Sequence, residues 1–431
     1  MQTYFSGWLK AGWLKAGWLN AGCFKVVIVI VCVSFAFPAF AQQTASPPSQ
    51  DEVNKQLLER IQELEKEIQQ IKAQPPVTLP PPPAPEPAAA VEAPTVNEVA
   101  PRLKLNVFGD VGAQVFNHVP STFEFGSLDL FMTARLSDKV STLGEVLFLA
   151  ESDNSIGVDV ERLFLKYRQS DYFVATFGRY HTWVGYYNTA FNKGEFLETT
   201  VDRPFVYAFD DQGGVLPMQD IGINVTGKIP SGKMGLNYVV EVGNGRAWGL
   251  NSEPTQNNQD ATNSKSINGG LFIRPDKISG LQMGFSIRHD NLSVPGPSVG
   301  ETIATVHAVF INSKYEILNE GALVRHVVPV GPAFNTSAFY SQISRAFHDF
   351  RPYFRYQYFN AASGDPVYRY AIQNTYAPLD VTAFVGRLNG PSAGIRWDFT
   401  KHSAVKVQYD RYSLRGLATE NGLTTQIAFT F

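Results

Sequence analysis

Between Arg102 and Phe431 the chain breaks into a succession of segments in which apolar and polar residues alternate. A period of two is the mark of a strand with two unlike faces. In 281–289, Met283, Phe285 and Ile287 oppose Gln282, Ser286 and Arg288; in 350–360, Phe354, Tyr356 and Tyr358 oppose Arg355 and Gln357. In 392–400, Ile395, Trp397 and Phe399 oppose Arg396 and Asp398; in 403–414, Val405, Val407 and Tyr409 oppose Lys406, Gln408 and Asp410. The pattern predicts sixteen strands, at 103–116, 126–136, 140–150, 158–168, 172–182, 220–229, 233–243, 267–275, 281–289, 302–312, 315–327, 336–346, 350–360, 392–400, 403–414 and 423–431. Every second connection is short: Ser137–Lys139, Gln169–Asp171, Pro230–Gly232, Asp276–Gly280, Ser313-Lys314, Phe347–Asp349 and Lys401-His402. The others are longer and richer in Gly, Pro, Asn and Ser, notably 244–266 and 361–391. Short turns at one end and long loops at the other is the asymmetry of a transmembrane barrel. A soluble sandwich has no reason to sort its connections this way. The expected fold is all-β: a transmembrane antiparallel β-barrel of about sixteen strands, over 102–431.

The strand count also sets which face points where. A small soluble barrel buries its apolar set, but sixteen strands enclose more volume than those side chains fill. The apolar set then faces lipid and the polar set lines water. Tyr172, Phe173, Tyr315, Phe347, Phe350 and Tyr409 fall near strand ends, where interfacial aromatic girdles sit.

The chain ends on Leu423–Phe431, with Gln426, Ala428 and Thr430 on one face and Ile427, Phe429 and Phe431 on the other. An exposed terminal strand ending in Phe invites edge pairing in a soluble protein. In a closed barrel it is the seam, paired with the first strand. The segment resembles the C-terminal signal of Gram-negative outer-membrane proteins, with Phe429 and Phe431 as its aromatics. That resemblance implies recognition by the barrel-assembly machinery and a setting of outer-membrane lipid and lipopolysaccharide.

The front end is consistent with export. Lys10, Lys15 and Lys25 precede the apolar run Val26–Phe37, and Ala39-Phe40-Ala41 has the small-x-small form of a signal-peptidase site, so 1–41 reads as a signal peptide. The run is shorter than the roughly twenty residues of a transmembrane helix. Cys23 follows Ala-Gly but precedes the apolar run, which argues against a lipoprotein. A repeat, Gly7-Trp8-Leu9-Lys10-Ala11 and Gly12-Trp13-Leu14-Lys15-Ala16, has no physical account. Both cysteines, Cys23 and Cys32, leave with the signal, so no disulfide staples the mature chain. Removing a segment with three lysines and no acid takes the net charge from −3 to −6. That is mild for this length and gives no hint of a nucleic-acid partner.

After a short linker at 42–50, residues 51–74 carry apolar side chains spaced four, three, four, three at Leu57, Ile61, Leu64, Ile68 and Ile71. This is a heptad seam, with Asn54, Ile61 and Ile68 at a and the leucines and Ile71 at d. In a parallel arrangement Arg60 faces Glu65 of the next chain and Glu67 faces Lys72. A short α-helical coiled coil in a parallel homo-oligomer is expected; so few turns are weak alone, so the barrel sets the oligomer number. Residues 75–101 hold Pro75, Pro76, Pro80–Pro83, Pro85, Pro87 and Pro94 and read as an extended spacer, reaching roughly 80 Å at ~3.1 Å per residue. The coil then stands in the periplasm, where it either clamps barrels together or contacts peptidoglycan.

One long connection differs in kind. Residues 183–219 contain Trp183, Tyr186, Tyr187, Phe191, Phe196, Phe205, Tyr207 and Phe209, too aromatic to leave in water. Its position and length resemble the loop that folds into the lumen of sixteen-stranded porins. It carries Glu195, Glu198, Asp202, Asp210 and Asp211 against Lys193 and Arg203, while the expected lumen wall carries Arg162, Lys166, Arg168, Arg288, Arg355, Arg396 and Lys406. An acidic loop facing a basic wall sets a transverse field across a constriction, which favours dipolar solutes. The stretch Arg162–Asn188 is similar to phosphate-selective porins and related trimeric porins with an N-terminal coiled coil. Their turn into the constriction loop reads Gly-Arg/Gln-x-Lys-Thr-Pro-x-Gly. Here Gly178, Arg179, Thr182 and Gly185 match, while His181 replaces the Lys and Trp183 the Pro. The resemblance implies a trimeric porin with Arg179 and His181 beside the constriction.

Catalysis has little support. Gly296-Pro297-Ser298-Val299-Gly300 and Gly390-Pro391-Ser392-Ala393-Gly394 match a hydrolase elbow in letters only, since that motif needs a strand-turn-helix context. The seven histidines lack metal spacing, so no metal, cofactor or enzymatic role is expected. The expected function is passive diffusion of small hydrophilic solutes with a weak anion preference. The rival is a tether joining outer membrane to cell wall.

Overall fold

The computed structural model describes Lys66 and residues 102–117, 120–150, 154–191, 195–201, 203–208, 215–247, 254–260, 263–292, 298–368, 387–414 and 419–431. The signal peptide, the linkers and the coiled-coil seam (Asn54, Leu57, Ile61, Leu64, Ile68, Ile71) lie outside them.

Sixteen antiparallel strands close into a barrel. They are β1 Leu103–Phe116, β2 Thr122–Arg135, β3 Val140–Ala150, β4 Ile156–Ser170, β5 Phe173–His181, β6 Gln219–Lys228, β7 Leu236–Gly243 and β8 Ser266–Ile273. Then follow β9 Leu281–Leu292, β10 Val299–Ile311, β11 Tyr315–Val327, β12 Ala333–Arg345, β13 Phe350–Asn360, β14 Arg387–Thr400, β15 Ser403–Leu414 and β16 Glu420–Thr430. Each pairs with its chain neighbours, and β1 pairs with β16 from Phe108↔Thr430 to Phe116↔Gly422. A two-residue ladder, Arg246-Ala247 with Thr255-Gln256, stands apart in the connection after β7.

The seam is made by the last residue. Val107 N–H donates to the Phe431 carbonyl at 2.9 Å, and Phe431 N–H donates to the Val107 carbonyl at 3.0 Å. Phe429 and Phe431 stack outside with ring centroids 6.5 Å apart, and Phe431 is 75% exposed. Just above the seam, β1 bulges between Gly109 and Val111. The bulge leaves Asp110 on the inner side, where its carboxylate accepts from Ser127 N–H at 2.9 Å, Ser127 Oγ at 2.8 Å and Gln426 Nε2 at 3.1 Å. A bulge re-aims one side chain without breaking the ladder.

The number and order of strands agree with the alternation, whereas their ends differ mostly on one side; the exception at a short turn is β7, expected from 233, which begins at Leu236 because Gly232–Met234 forms a 3₁₀ turn. At the other short turns strands stop within two residues of expectation, but several run further toward the long loops: β2 begins at Thr122, β4 at Ile156, β9 ends at Leu292, β10 begins at Val299, β12 at Ala333, β14 at Arg387 and β16 at Glu420. Two of these extensions, Asp290-Asn291 and Glu420-Asn421-Gly422, are polar or small on both faces, so the hydrophobic alternation fades there while backbone pairing continues. Pro391 therefore lies inside β14, opposite Tyr356. The ladder from β14 to β15 passes over Gly390 and Pro391 without losing register, because Pro has no N–H to give.

The outer face is apolar. Leu105, Leu163, Leu165, Met283, Phe285, Ile287, Val306, Leu323, Phe339, Ile343, Phe354, Ile395, Trp397, Leu423 and Ile427 are all exposed there. In water such a surface is untenable; in hydrocarbon it is required. No described helix is long and apolar enough to cross a membrane. Because the Phe431 backbone supplies both closing bonds, deleting it should leave β1 with unpaired groups at the short-turn end. The expected outcome is a sharp fall in folded, heat-modifiable barrel on unboiled gels, with conductance unchanged in whatever inserts.

Candidate constriction and lumen wall

The connection after β5 turns into the barrel at Gly185, whose φ of 84° favours glycine, and a Cβ there would meet the Tyr207 hydroxyl and Glu320. One turn of helix, α1 (Tyr187–Ala190), and two 3₁₀ turns, Glu195–Leu197 and Phe205–Tyr207, follow inside the lumen. The Glu320 carboxylate on β11 captures the entry. It accepts from Tyr186 N–H at 2.5 Å, Tyr187 N–H at 3.0 Å, Tyr207 OH at 2.7 Å and Tyr340 OH at 2.5 Å. Around it Tyr187 stands edge-on to Tyr340 at 6.0 Å and Phe205 edge-on to Phe359 at 5.2 Å. Val184, Val206, Val215, Leu216 and Met218 complete an apolar core with the inward Ile303, Leu318, Val324 and Leu388. The inner face of β10–β14 is thus apolar in part, and the loop covers it.

The polar residues of that wall bind the loop backbone. Lys406 Nζ donates to the Glu195 carbonyl at 2.6 Å and the Thr200 carbonyl at 2.8 Å. Arg396 donates to the carbonyls of Phe196 at 2.6 Å and Glu198 at 2.7 Å, and Arg355 to Thr200 Oγ1 at 3.1 Å. Gln357 accepts from Phe205 N–H at 2.6 Å, Gln408 from Val201 N–H at 3.1 Å, and Glu241 on β7 from Trp183 N–H. Three of the cations expected to face the loop across a gap are therefore in contact with it. Glu198 and Arg203 lie 3.6 Å apart, both buried. Burial pushes the Glu198 carboxyl above the usual carboxylate range, only partly offset by Arg203, Lys406 and Arg355. Asp202, Asp210 and Asp211 lie outside the described residues.

Across the barrel, Arg162 on β4 is bonded to Glu145 on β3. Arg179 reaches Gln219 at 2.5 Å and Asp159 at 3.3 Å, and its neighbour Gly178 has a φ of 131°, so both matched glycines of the turn occupy the left-handed half of backbone space. His181 is buried beside the Asn188 carbonyl, 3.0 Å from Nδ1. Arg168 is exposed at the turn, 3.4 Å from Asp171, whose carboxyl is held below its usual range chiefly by the hydrogen bond from Lys228. Lys166 projects inward over the Phe164 ring at 5.3 Å.

A second cluster sits under the long loops. Arg246, from the loop after β7, donates from Nη2 to both carboxylate oxygens of Glu301, at 2.9 and 2.8 Å. Arg288 lies 2.9 Å from Asp290 and 3.5 Å from Asp220, and His326 bridges Glu301 at 3.0 Å and Asp365 at 2.8 Å. Asp365 belongs to the segment after β13, whose Tyr368 OH donates to the Val215 carbonyl at 3.2 Å. Arg288 is thus tied into a buried ionic network. Sequence reading singled out Arg288 but neither its partners nor Glu320. An acid at an inward position between Leu318 and Ala322 was the available signal for Glu320.

No protein-family model and no curated protein matches this chain. Solved structures do resemble it. The anion-selective porin of Comamonas acidovorans is 10% identical with a TM-score of 0.54, covering 77% of this chain and 100% of that one. The barrel has the fold of outer-membrane porins. The outer membrane channel DcaP of Acinetobacter baumannii (11%, TM-score 0.52, 78% and 98% covered) and Salmonella typhi OmpF in complex with daunomycin (12%, TM-score 0.53, 76% and 97% covered) share this porin fold.

Glu320→Leu should orphan two amides and two hydroxyls at about 1–3 kcal/mol each. The loop is expected to loosen, giving larger and noisier single-channel conductance from a barrel that still inserts. Glu198 offers a pH test. Its folded pKa lies above the unfolded value, so the stability it contributes is present below the ordinary carboxylate range and is lost as pH rises through the folded value. Glu198→Gln should melt at or above wild type near neutral pH, with the difference closing in acid. Lower stability near neutral pH would mean that the Arg203 contact outweighs burial.

Proposed function

We propose that this chain is an outer-membrane porin that passes small hydrophilic solutes by diffusion. The observation that carries this reading is a loop bonded inside a closed, externally apolar sixteen-stranded barrel: its core is built mainly on β10–β14 and its turn Glu195–Leu197 reaches β1 and β16, while among the described residues β2–β4 contribute nothing to that core. A barrel serving only as an anchor has no use for an internal loop held by wall side chains from β7 to β15. The similar fold of the Comamonas anion-selective porin supports the same reading. The proposed eyelet comprises Arg162, Lys166 and Arg179 on one side, with Glu195, Asp202, Asp210 and Asp211 of the loop; His181, Glu198 and Arg203, expected there from the sequence, are buried in contacts of the loop and its entry instead. With Arg288, Arg355, Arg396 and Lys406 occupied structurally, the anion preference is weak and comes from the β4–β5 wall. Folding and insertion through the C-terminal Phe429 and Phe431, assembly as a trimer and a periplasmic coiled coil at 51–74 belong to the same proposal. The coil's role, clamp or peptidoglycan contact, is separable from transport.

Recording from planar bilayers tests it. Purified protein should give stable conductance steps and, in a salt gradient, a small reversal potential of the sign for anions. Deleting Asp51–Pro101 should leave the step size unchanged. A silent barrel that retains peptidoglycan would replace this reading with that of a tether.

A further inference from the structure

The wall facing the loop is not uniformly polar. On the inner side of β2–β4, strand register places three rows side by side: Phe131–Glu145–Arg162, Thr133–Leu143–Phe164 and Arg135–Ser141–Lys166. Leu163 and Leu165, exposed outside, flank Phe164 and fix its inward direction. Phe131, Leu143 and Phe164 therefore form a contiguous apolar patch inside the lumen, each only partly buried. Among the described residues the loop's aromatic core draws its wall residues from β9–β15 and none from β2–β4, so it does not consume this patch. A cation stands over each ring: Arg162 at 5.3 Å from Phe131 and Lys166 at 5.3 Å from Phe164. Arg162 is neutralised by Glu145. Among the described residues Lys166 has no ion-pair partner, and the charges acting on it are two further cations, Arg162 and Arg168.

An apolar floor is costly to leave facing bulk water, and beside an uncompensated ammonium it suits a strongly hydrated ion such as phosphate poorly. It suits a flat apolar body bearing one negative charge. Resting on the proposed channel function, we infer that the inner face of β2–β4 is a subsite for small aromatic carboxylates. The ring lies on Phe131, Leu143 and Phe164, and the carboxylate reaches Lys166 with the Thr133 and Ser141 hydroxyls beside it. The charge-assisted contact to Lys166 supplies the polar half of recognition, and the rings discriminate against aliphatic anions of equal charge.

The test is single-channel recording of the full-length protein with potassium benzoate or potassium acetate added to both sides. Benzoate should lower conductance saturably, and acetate should not. Lys166→Gln should weaken the benzoate effect by about tenfold in apparent Kd, Lys166→Arg should restore it, and Phe164→Ser should abolish the difference between the two anions. Equal behaviour of benzoate and acetate in a conducting channel, or a benzoate block untouched by Lys166→Gln, overturns the subsite alone. Absence of any conductance step overturns the channel reading on which it rests.

Discussion

A sheet in hydrocarbon cannot have an edge, because each unpaired N–H or C=O there costs several kcal/mol. Every other feature of this barrel depends on that closure. Val107 and Phe431 exchange the bonds that end the seam, and the sixteen-stranded ring they complete is too wide for its own inward side chains to fill. The volume is instead divided by a connection between β5 and β6. That connection brings its own hydrophobic core, and the wall meets it with apolar residues in the middle of β10–β14 and with polar ones around them. Glu320 sits where the two meet: a single carboxylate that satisfies both the backbone of the entering turn and two tyrosines of the core.

Charge in the lumen consequently has two uses. Arg355, Arg396 and Lys406 bond loop carbonyls and a hydroxyl, replacing the water those groups would otherwise need. Arg246, Arg288 and His326 hold three acids of the wall, Asp220, Asp290 and Glu301, and one of a loop, Asp365, in a buried network. Such groups are costly to bury and kept only where their partners are complete. What remains unspent on holding the loop or the network is the smaller set on β4 and β5.

Much of the fold was legible because period-two alternation is imposed by the unlike media on the two sides of the wall. Lipid demands Met283, Phe285 and Ile287 outside whatever stands within. Where both faces meet water or loops, as at His289–Leu292 and Arg387–Pro391, the contrast vanishes and strand ends could not be read. The lumen was less legible. Arg288, Arg355, Arg396 and Lys406 were identifiable as inward cations, but their partners come from connections distant in sequence. Leu143 and Phe164 were hidden for another reason: an apolar residue inside a channel weakens the alternation that reveals the strand.

By itself the sequence determined the number of strands, their order, the loop-rich end and the terminal strand that closes the ring, since each follows from local periodicity and the placement of turn residues. Only the tertiary structure decided which inward charges are spent on holding the loop and which stay free. That outcome depends on how far a single connection reaches across the lumen and on which wall carboxylate, Glu320, it meets there. It is a contact between residues 133 and 134 positions apart, on which no local pattern bears.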